Sequence, residues 1–252
     1  MNAAKSPLPE TLRTAFSTRK VYNPAGEQVD LHSNVSEAEA TELYEAVREL
    51  KPAFSLEVGF AQGTSAQAIL QALQDNGAGH HHVMDPFQAQ FGECGLEMVR
   101  RAGLDHRMTF HRRFAEEVVP SLPEVGFAFI DASHLFDLTL CEFVLTDKRL
   151  SVGGVVAFHD MWMPAQQAFI RYVLANRKYT VFRPAKAAPQ SPGPRPSMLK
   201  EMLRGISSKL PAAERIFARE FLKPWAKFEL GNLVFLKKEA VDQRDWKFHQ
   251  AF

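Results

Sequence analysis

Two apolar runs that each stop at an aspartate constrain this chain most: Phe-Ile-Asp131-Ala-Ser-His134 and Val-Val-Ala-Phe-His159-Asp160. Continuous apolar runs of this length read as strands buried on both faces, the pattern of a parallel sheet covered by helices. A third run, Ser55-Leu-Glu57-Val-Gly59-Phe-Ala-Gln-Gly63-Thr-Ser65, leaves a strand through a glycine-bearing turn. Strands are predicted over 54–60, 80–85, 107–112, 125–131, 153–159, 180–182 and 232–236. Helical spacing falls between them over 64–74, 92–102, 136–145 and 165–175, with a short helical turn over 115–122. The capping box Ser36-Glu-Ala-Glu39 opens an earlier helix with Leu43, Val47 and Leu50 on one face, and Pro52 stops it. Serial βα units imply an α/β fold: a mostly parallel sheet of seven strands, helices on both faces, and a late antiparallel strand at its edge. Ligands of such sheets bind at the carboxyl ends of the strands, where strand order reverses.

The length of 252 residues suits one domain with additions. Residues 1–35 read as an N-terminal arm or cap, without clear periodicity in their first thirty. Residues 36–252 read as the main domain, interrupted at 185–229. That segment begins Pro-rich, continues with helical spacing, and carries nine Lys or Arg against three Glu between 185 and 228. It reads as a lid, a homodimer arm or an anchor touching a membrane surface. A net charge of +1 argues against wholesale nucleic-acid binding. Cys94 and Cys141 lie in helical patterns and are expected to be reduced, structural thiols. No signal-peptide core and no run of about 20 apolar residues is present, so a cytoplasmic protein is expected.

The strand tips carry the chemistry. Gly59 and Gly63 allow a sharp turn and a close ligand approach, and the helix they open offers free N–H groups. Thr64 and Ser65 add hydroxyls, and Glu57 would hold an ammonium group. Asp85 ends the second strand, where an acid can accept both ribose hydroxyls or simply cap the helix before Pro86. Asp131 and Asp160 emerge at one sheet edge, and adjacent carboxylates call for a proton or a hard cation between them. Such an ion would lower the pKa of a substrate hydroxyl. His134 is a candidate base for that proton. Strand alternation turns His159 to the opposite side and leaves it a supporting role. The run His80-His81-His82 looks like a metal site but is not read as one, because successive strand residues face opposite ways and the three cannot converge on one ion; solvated imidazoles at a strand start are expected.

In these motifs and their order the chain resembles class I S-adenosylmethionine-dependent methyltransferases of Rossmann-like fold. Within them it is similar to the small-molecule O-methyltransferases that act on catechol, caffeoyl-CoA and macrolide sugars. The similarity spans about residues 34–184 and the final strand. The resemblance implies that Glu57 and the Gly59–Gly63 backbone hold the methionine end of the cofactor, with Ser65 at its carboxylate. Asp85 would bind the ribose, Ala115 would lie near the adenine, Asp131 would also approach the cofactor, and Asp131 and Asp160 would bind Mg²⁺ or another divalent cation. His134 stands where the catechol branch has a lysine base. Met161 departs from the pattern, since the family commonly has Asn or Asp directly after the second metal acid. The third ligand is then water or another side chain, or the reaction runs without metal on a histidine base. Other readings of the residues are a nicotinamide oxidoreductase, which lacks both Gly-x-Gly-x-x-Gly and Tyr-x-x-x-Lys here, and a non-catalytic binding module.

Overall fold

In the computed structural model, residues 6–186, 202, 206 and 218–248 are described. Helix α1 (Glu10–Thr18) leads into a hairpin of β1 (Lys20–Tyr22) and β2 (Gln28–Asp30), and α2 (Glu37–Leu50) follows. The alternating part runs through β3 (Phe54–Val58), α3 (Thr64–Asp75), β4 (His80–Met84), α4 (Cys94–Arg101), β5 (Met108–His111) and α5 (Ala115–Val118). It continues through β6 (Val125–Ile130), α6 (Phe136–Asp147), β7 (Leu150–Phe158), α7 (Pro164–Asn176) and β8 (Tyr179–Phe182). A short α8 (Arg219–Leu222) and β9 (Val234–Lys238) complete it.

Seven strands form one sheet in the order β5-β4-β3-β6-β7-β9-β8. β3 pairs in parallel with both β4 and β6, so the chain direction across the sheet reverses at β3/β6. The expectation of an antiparallel last strand holds, but its place differs. β9 lies between β7 and β8, antiparallel to both, and β8 is the edge. Its apolar residues explain the position: Val234, Phe235 and Leu236 are all buried, which an edge strand would not require.

One face of the sheet packs Leu56, Ile130 and Phe158 against Phe143 of α6 and Phe169 of α7. The other packs Phe127, Phe129 and Val155 against Leu43 and Val47 of α2 and Ile69 of α3. Burial of these large side chains is worth about 1.5–3 kcal/mol each, which makes the sheet the rigid frame for its strand tips.

The N-terminal segment, which showed no period, is ordered by contacts distant in sequence. Leu12 is fully buried with the α2/α3 face. Ala15, Val21 and Leu31 pack on Met98 of α4. Most of the basic 185–229 stretch lies outside the described residues. Among the described residues, no helix is long and apolar enough to cross a membrane.

Candidate active site

The carboxyl ends of β3, β4, β6 and β7 open onto one cavity of about 1020 Å³. Gly59, Ser65, Asp85, Ala115, Asp131, His134, His159 and Asp160 all line it. Register explains the convergence: Val58 pairs with Ile130 and Ile130 with Phe158, so the next residues emerge side by side.

Gly59 is the tightest point. Asp131 N–H donates to the Val58 carbonyl at 2.9 Å, and a Cβ on Gly59 would sit 2.2 Å from the Asp131 carbonyl oxygen. With φ at +89°, only glycine fits there. Gly63, at φ +73°, is the N-cap of α3 and does not line the cavity. Asp85 braces this turn: its Oδ2 accepts from the backbone N–H of Phe60 (3.2 Å) and Ala61 (3.0 Å), and its Oδ1 from Phe87 N–H at 2.7 Å.

Glu57 lies behind the cavity wall and is fully buried. Its Oε1 accepts from Ser65 Oγ, and its Oε2 is 2.9 Å from His81 Nε2. Burial pushes its carboxyl up, opposed by the bonds from His81 and Ser65. The expected direct grip on an ammonium group therefore becomes a supporting contact that fixes Ser65. The histidine run is corrected at the same point: His81 is a buried partner of Glu57, not a solvated ring.

The acidic pair holds two imidazoles. His134 Nε2 lies 3.8 Å from Asp131 Oδ1 and 3.4 Å from Asp160 Oδ2. His159 Nδ1 lies 3.5 Å from Asp131 Oδ2 and 3.4 Å from Asp160 Oδ1. Simple alternation aimed His159 away. The strand ends at Phe158, and Asp160 takes a left-handed φ of 58°, which brings both side chains to the cavity. On its far side His159 Nε2 meets Glu39 Oε1 at 3.2 Å, and Asn232 Nδ2 donates to the same oxygen at 3.0 Å. Burial alone would lower the basicity of His159, but hydrogen bonds and charge from Asp131 and Glu39 push it up to about 10. Burial likewise works to raise Glu39, yet His159 and Ser36 bring its carboxyl down to about 2. The imidazolium and its carboxylates stabilise one another.

Donor atoms of Asp131, His134 and Asp160 all lie within 4.8 Å of one another. The two carboxylates fit a divalent cation, and the His134 imidazole stands beside them. Met161 takes no part: its side chain is buried in the core, and Trp162 Nε1 instead donates to Asp160 Oδ1 at 2.9 Å.

Several lining residues are ones the sequence reading did not single out individually, although the N-terminal arm was expected to reach the pocket. Arg19, His32 and Asn34 form a wall from the N-terminal segment, tied to the turn because Gln62 accepts from His32 N–H (2.7 Å) and donates to the Asp30 carbonyl (3.0 Å). Glu142 also lines the cavity; burial, then the charges of Glu116 and Asp131, pushes its carboxyl up to about 7. Cys141, expected to be structural, is exposed on α6 at the cavity, whereas Cys94 is buried. Left-handed non-glycine residues concentrate here: Arg19, Ser33, Ala61, His134 and Asp160 all line the cavity. Strain of about 1–3 kcal/mol each is retained where surrounding structure dictates it, commonly at functional sites.

Residues 56–161 match the model of a methyltransferase domain. The match covers less than half of the chain. Tapetum-specific methyltransferase 1 of Arabidopsis thaliana is 31% identical over 114 residues, 43% of this chain and 47% of that protein. The chain thus spans about half the length of the curated relatives it matches. An O-methyltransferase of Streptomyces achromogenes involved in tomaymycin synthesis, solved in complex with SAM, superposes with a TM-score of 0.53 at 20% identity, covering 69% of this chain and 81% of that one. The SAH-bound Podospora anserina methyltransferase PaMTH1 gives 0.55 at 17% identity, covering 69% and 83%. Both share the fold.

Proposed function

We propose that this chain methylates a hydroxyl oxygen of a small molecule, using S-adenosylmethionine. The observation that carries the reading is the meeting of the four strand tips, Gly59, Asp85, Asp131 and Asp160, on one cavity at the sheet's reversal point. Complexes of the structural neighbours with SAM or SAH support it. The cavity has the volume, the glycine-lined approach and the acidic strand tip that a nucleoside with a charged tail requires.

When bound, the cofactor supplies an electrophilic methyl group on a sulfonium. The Gly59 turn would admit its methionine end, the Ser65 backbone N–H in the first turn of α3 would meet the carboxylate, and Asp85 would accept from the ribose while bracing the turn. Ala115 borders the adenine. Asp131 and Asp160 would hold a divalent cation, whose chemistry there would be to polarise the substrate hydroxyl. His134 stands beside both acids, where it would take the hydroxyl proton as the methyl group passes from sulfur to that oxygen. His159, held cationic by Glu39, balances the charge of the acids and fixes their orientation. Phe87, Phe114, Leu138 and Trp162, all exposed at the cavity, favour a substrate with an apolar face.

A second reading omits the metal. It is favoured by the two imidazoles already seated against both carboxylates at 3.4–3.8 Å.

Calorimetry with S-adenosylhomocysteine tests the cofactor, and absence of saturable binding sinks both readings. Turnover on a panel of hydroxylated aromatics and sugars, with and without Mg²⁺ and chelator, separates them. Chelator-sensitive turnover abolished in Asp131→Ala and Asp160→Ala supports the metal; chelator-insensitive turnover that still needs His134 supports the second reading.

A further inference from the structure

We propose that the outer face of β4 and β5 carries a separate metal site, a two-imidazole chelate of His82 and His111 for a borderline transition ion such as Cu²⁺ or Zn²⁺, with His80 beside it. This inference does not depend on methyl transfer. None of the three histidines lines the cavity.

The His80-His81-His82 run divides across the sheet. His81 turns inward to Glu57, which leaves His80 and His82 together on the opposite face, two residues apart. β5 lies parallel to β4 with His82 opposite Thr109 and Met84 opposite His111. His111 is therefore the diagonal neighbour of His82 on that same face. Higher on this face Leu56 and Met84 are covered by Ala115 and Val118 of α5; the three imidazoles lie below that cover, and all are half-buried.

His82 Nδ1 is 3.2 Å from His111 Nε2. Their rings stack at 27°, with centroids 5.5 Å apart, and the His80 ring centroid is 5.3 Å from that of His82. Metal–imidazole bonds of about 2.0–2.1 Å place two ligand nitrogens roughly 2.9 Å apart at a right angle and about 3.4 Å apart at the tetrahedral angle. The observed separation falls inside that window. The broad χ2 torsion of histidine lets both lone pairs turn toward one ion.

The rings are also kept neutral. Burial first, then the neighbouring imidazoles, brings His82 down to about 4, and burial lowers His80 and His111 as well. Unprotonated nitrogen is what a metal needs. Nearby guanidinium groups are engaged elsewhere: Arg107 Nε donates to Gln74 Oε1 and Arg113 to Glu117. A nitrogen donor set selects Cu²⁺, Ni²⁺ or Zn²⁺ over the oxygen-seeking Mg²⁺ and Ca²⁺.

The test is Cu²⁺ titration of the full chain carrying Asp131→Ala and Asp160→Ala, which silences the acidic cluster. We expect one tight equivalent per chain by calorimetry, with an electron paramagnetic resonance spectrum showing coupling to two imidazole nitrogens. Adding His82→Ala or His111→Ala should weaken that equivalent by about 10- to 100-fold, at least the loss seen when a supporting contact to a metal ligand is removed; His80→Ala should weaken it less. Adventitious capture by exposed histidines such as His106 would leave the affinity unchanged in both variants, and that result overturns the proposal. Should either alanine variant misfold, the two-nitrogen coupling and its loss in His82→Gln and His111→Gln decide the matter; a spectrum without that coupling also overturns it.

Discussion

Gly59 shows how much of this site depends on single atoms. The carbonyl of Asp131 occupies the space a Cβ would need, at 2.2 Å. That closeness joins the cofactor turn to the acidic cluster, because the same backbone contact sets where the Asp131 side chain begins. Gly59→Ala should therefore force β3 and β6 apart and impose a left-handed alanine as well. A cost of roughly 3 kcal/mol or more is expected from clash and strain together, read as a lower urea midpoint. A variant as stable as the parent would show that the strand tips have slack. Glycine, aspartate and histidine identities at the strand ends were legible in the sequence because each is a local requirement. Glu57 was legible only as an acid: its pairing with His81 and Ser65 depends on β4 lying beside β3 in register, which no local pattern encodes.

At the scale of elements, α2 links folding to the site. Its capping box is complete: Glu39 N–H donates to Ser36 Oγ at 3.3 Å, and Glu39 Oε2 accepts from Ser36 N–H at 2.7 Å. The same carboxylate reaches His159 through its other oxygen. The box was readable as a helix start, but its second duty was not, since His159 is distant in sequence. The two duties separate by mutation. Ser36→Ala removes a cap and should cost about 1 kcal/mol. Glu39→Ala also strips a partner from a buried imidazolium, a further loss of about 1–3 kcal/mol. It should in addition reduce turnover under the proposed function. Thermal or urea denaturation of the two variants decides: equal losses would mean that Glu39 only caps the helix. Strand alternation also misled at this scale, because the left-handed Asp160 ends the regularity that would have turned His159 away.

For the whole molecule, the N-terminal segment, the sheet and the loop after β7 enclose one cavity, so a ligand there touches parts of the chain far apart in sequence. Occupancy should stabilise all of them together. At about 100 times its Kd, S-adenosylhomocysteine is expected to add about 2.7 kcal/mol, or about 5–10 °C in melting temperature for a chain of this size. A cofactor-independent Tm at saturating concentration would contradict the proposed use of the cavity. The sequence by itself determined the order of strands and helices, the buried parallel core and the polar residues at its tips. Those follow from hydrophobic periodicity and from single residues whose chemistry is fixed wherever they fall. Tertiary structure alone decided that β9 inserts beside β7, which residues of the N-terminal arm (Arg19 and His32 to Val35) reach the cavity, and that His159 faces the acids while His82 meets His111. Each depends on register between distant strands or on a local break in backbone regularity, and neither leaves a periodic trace in the chain.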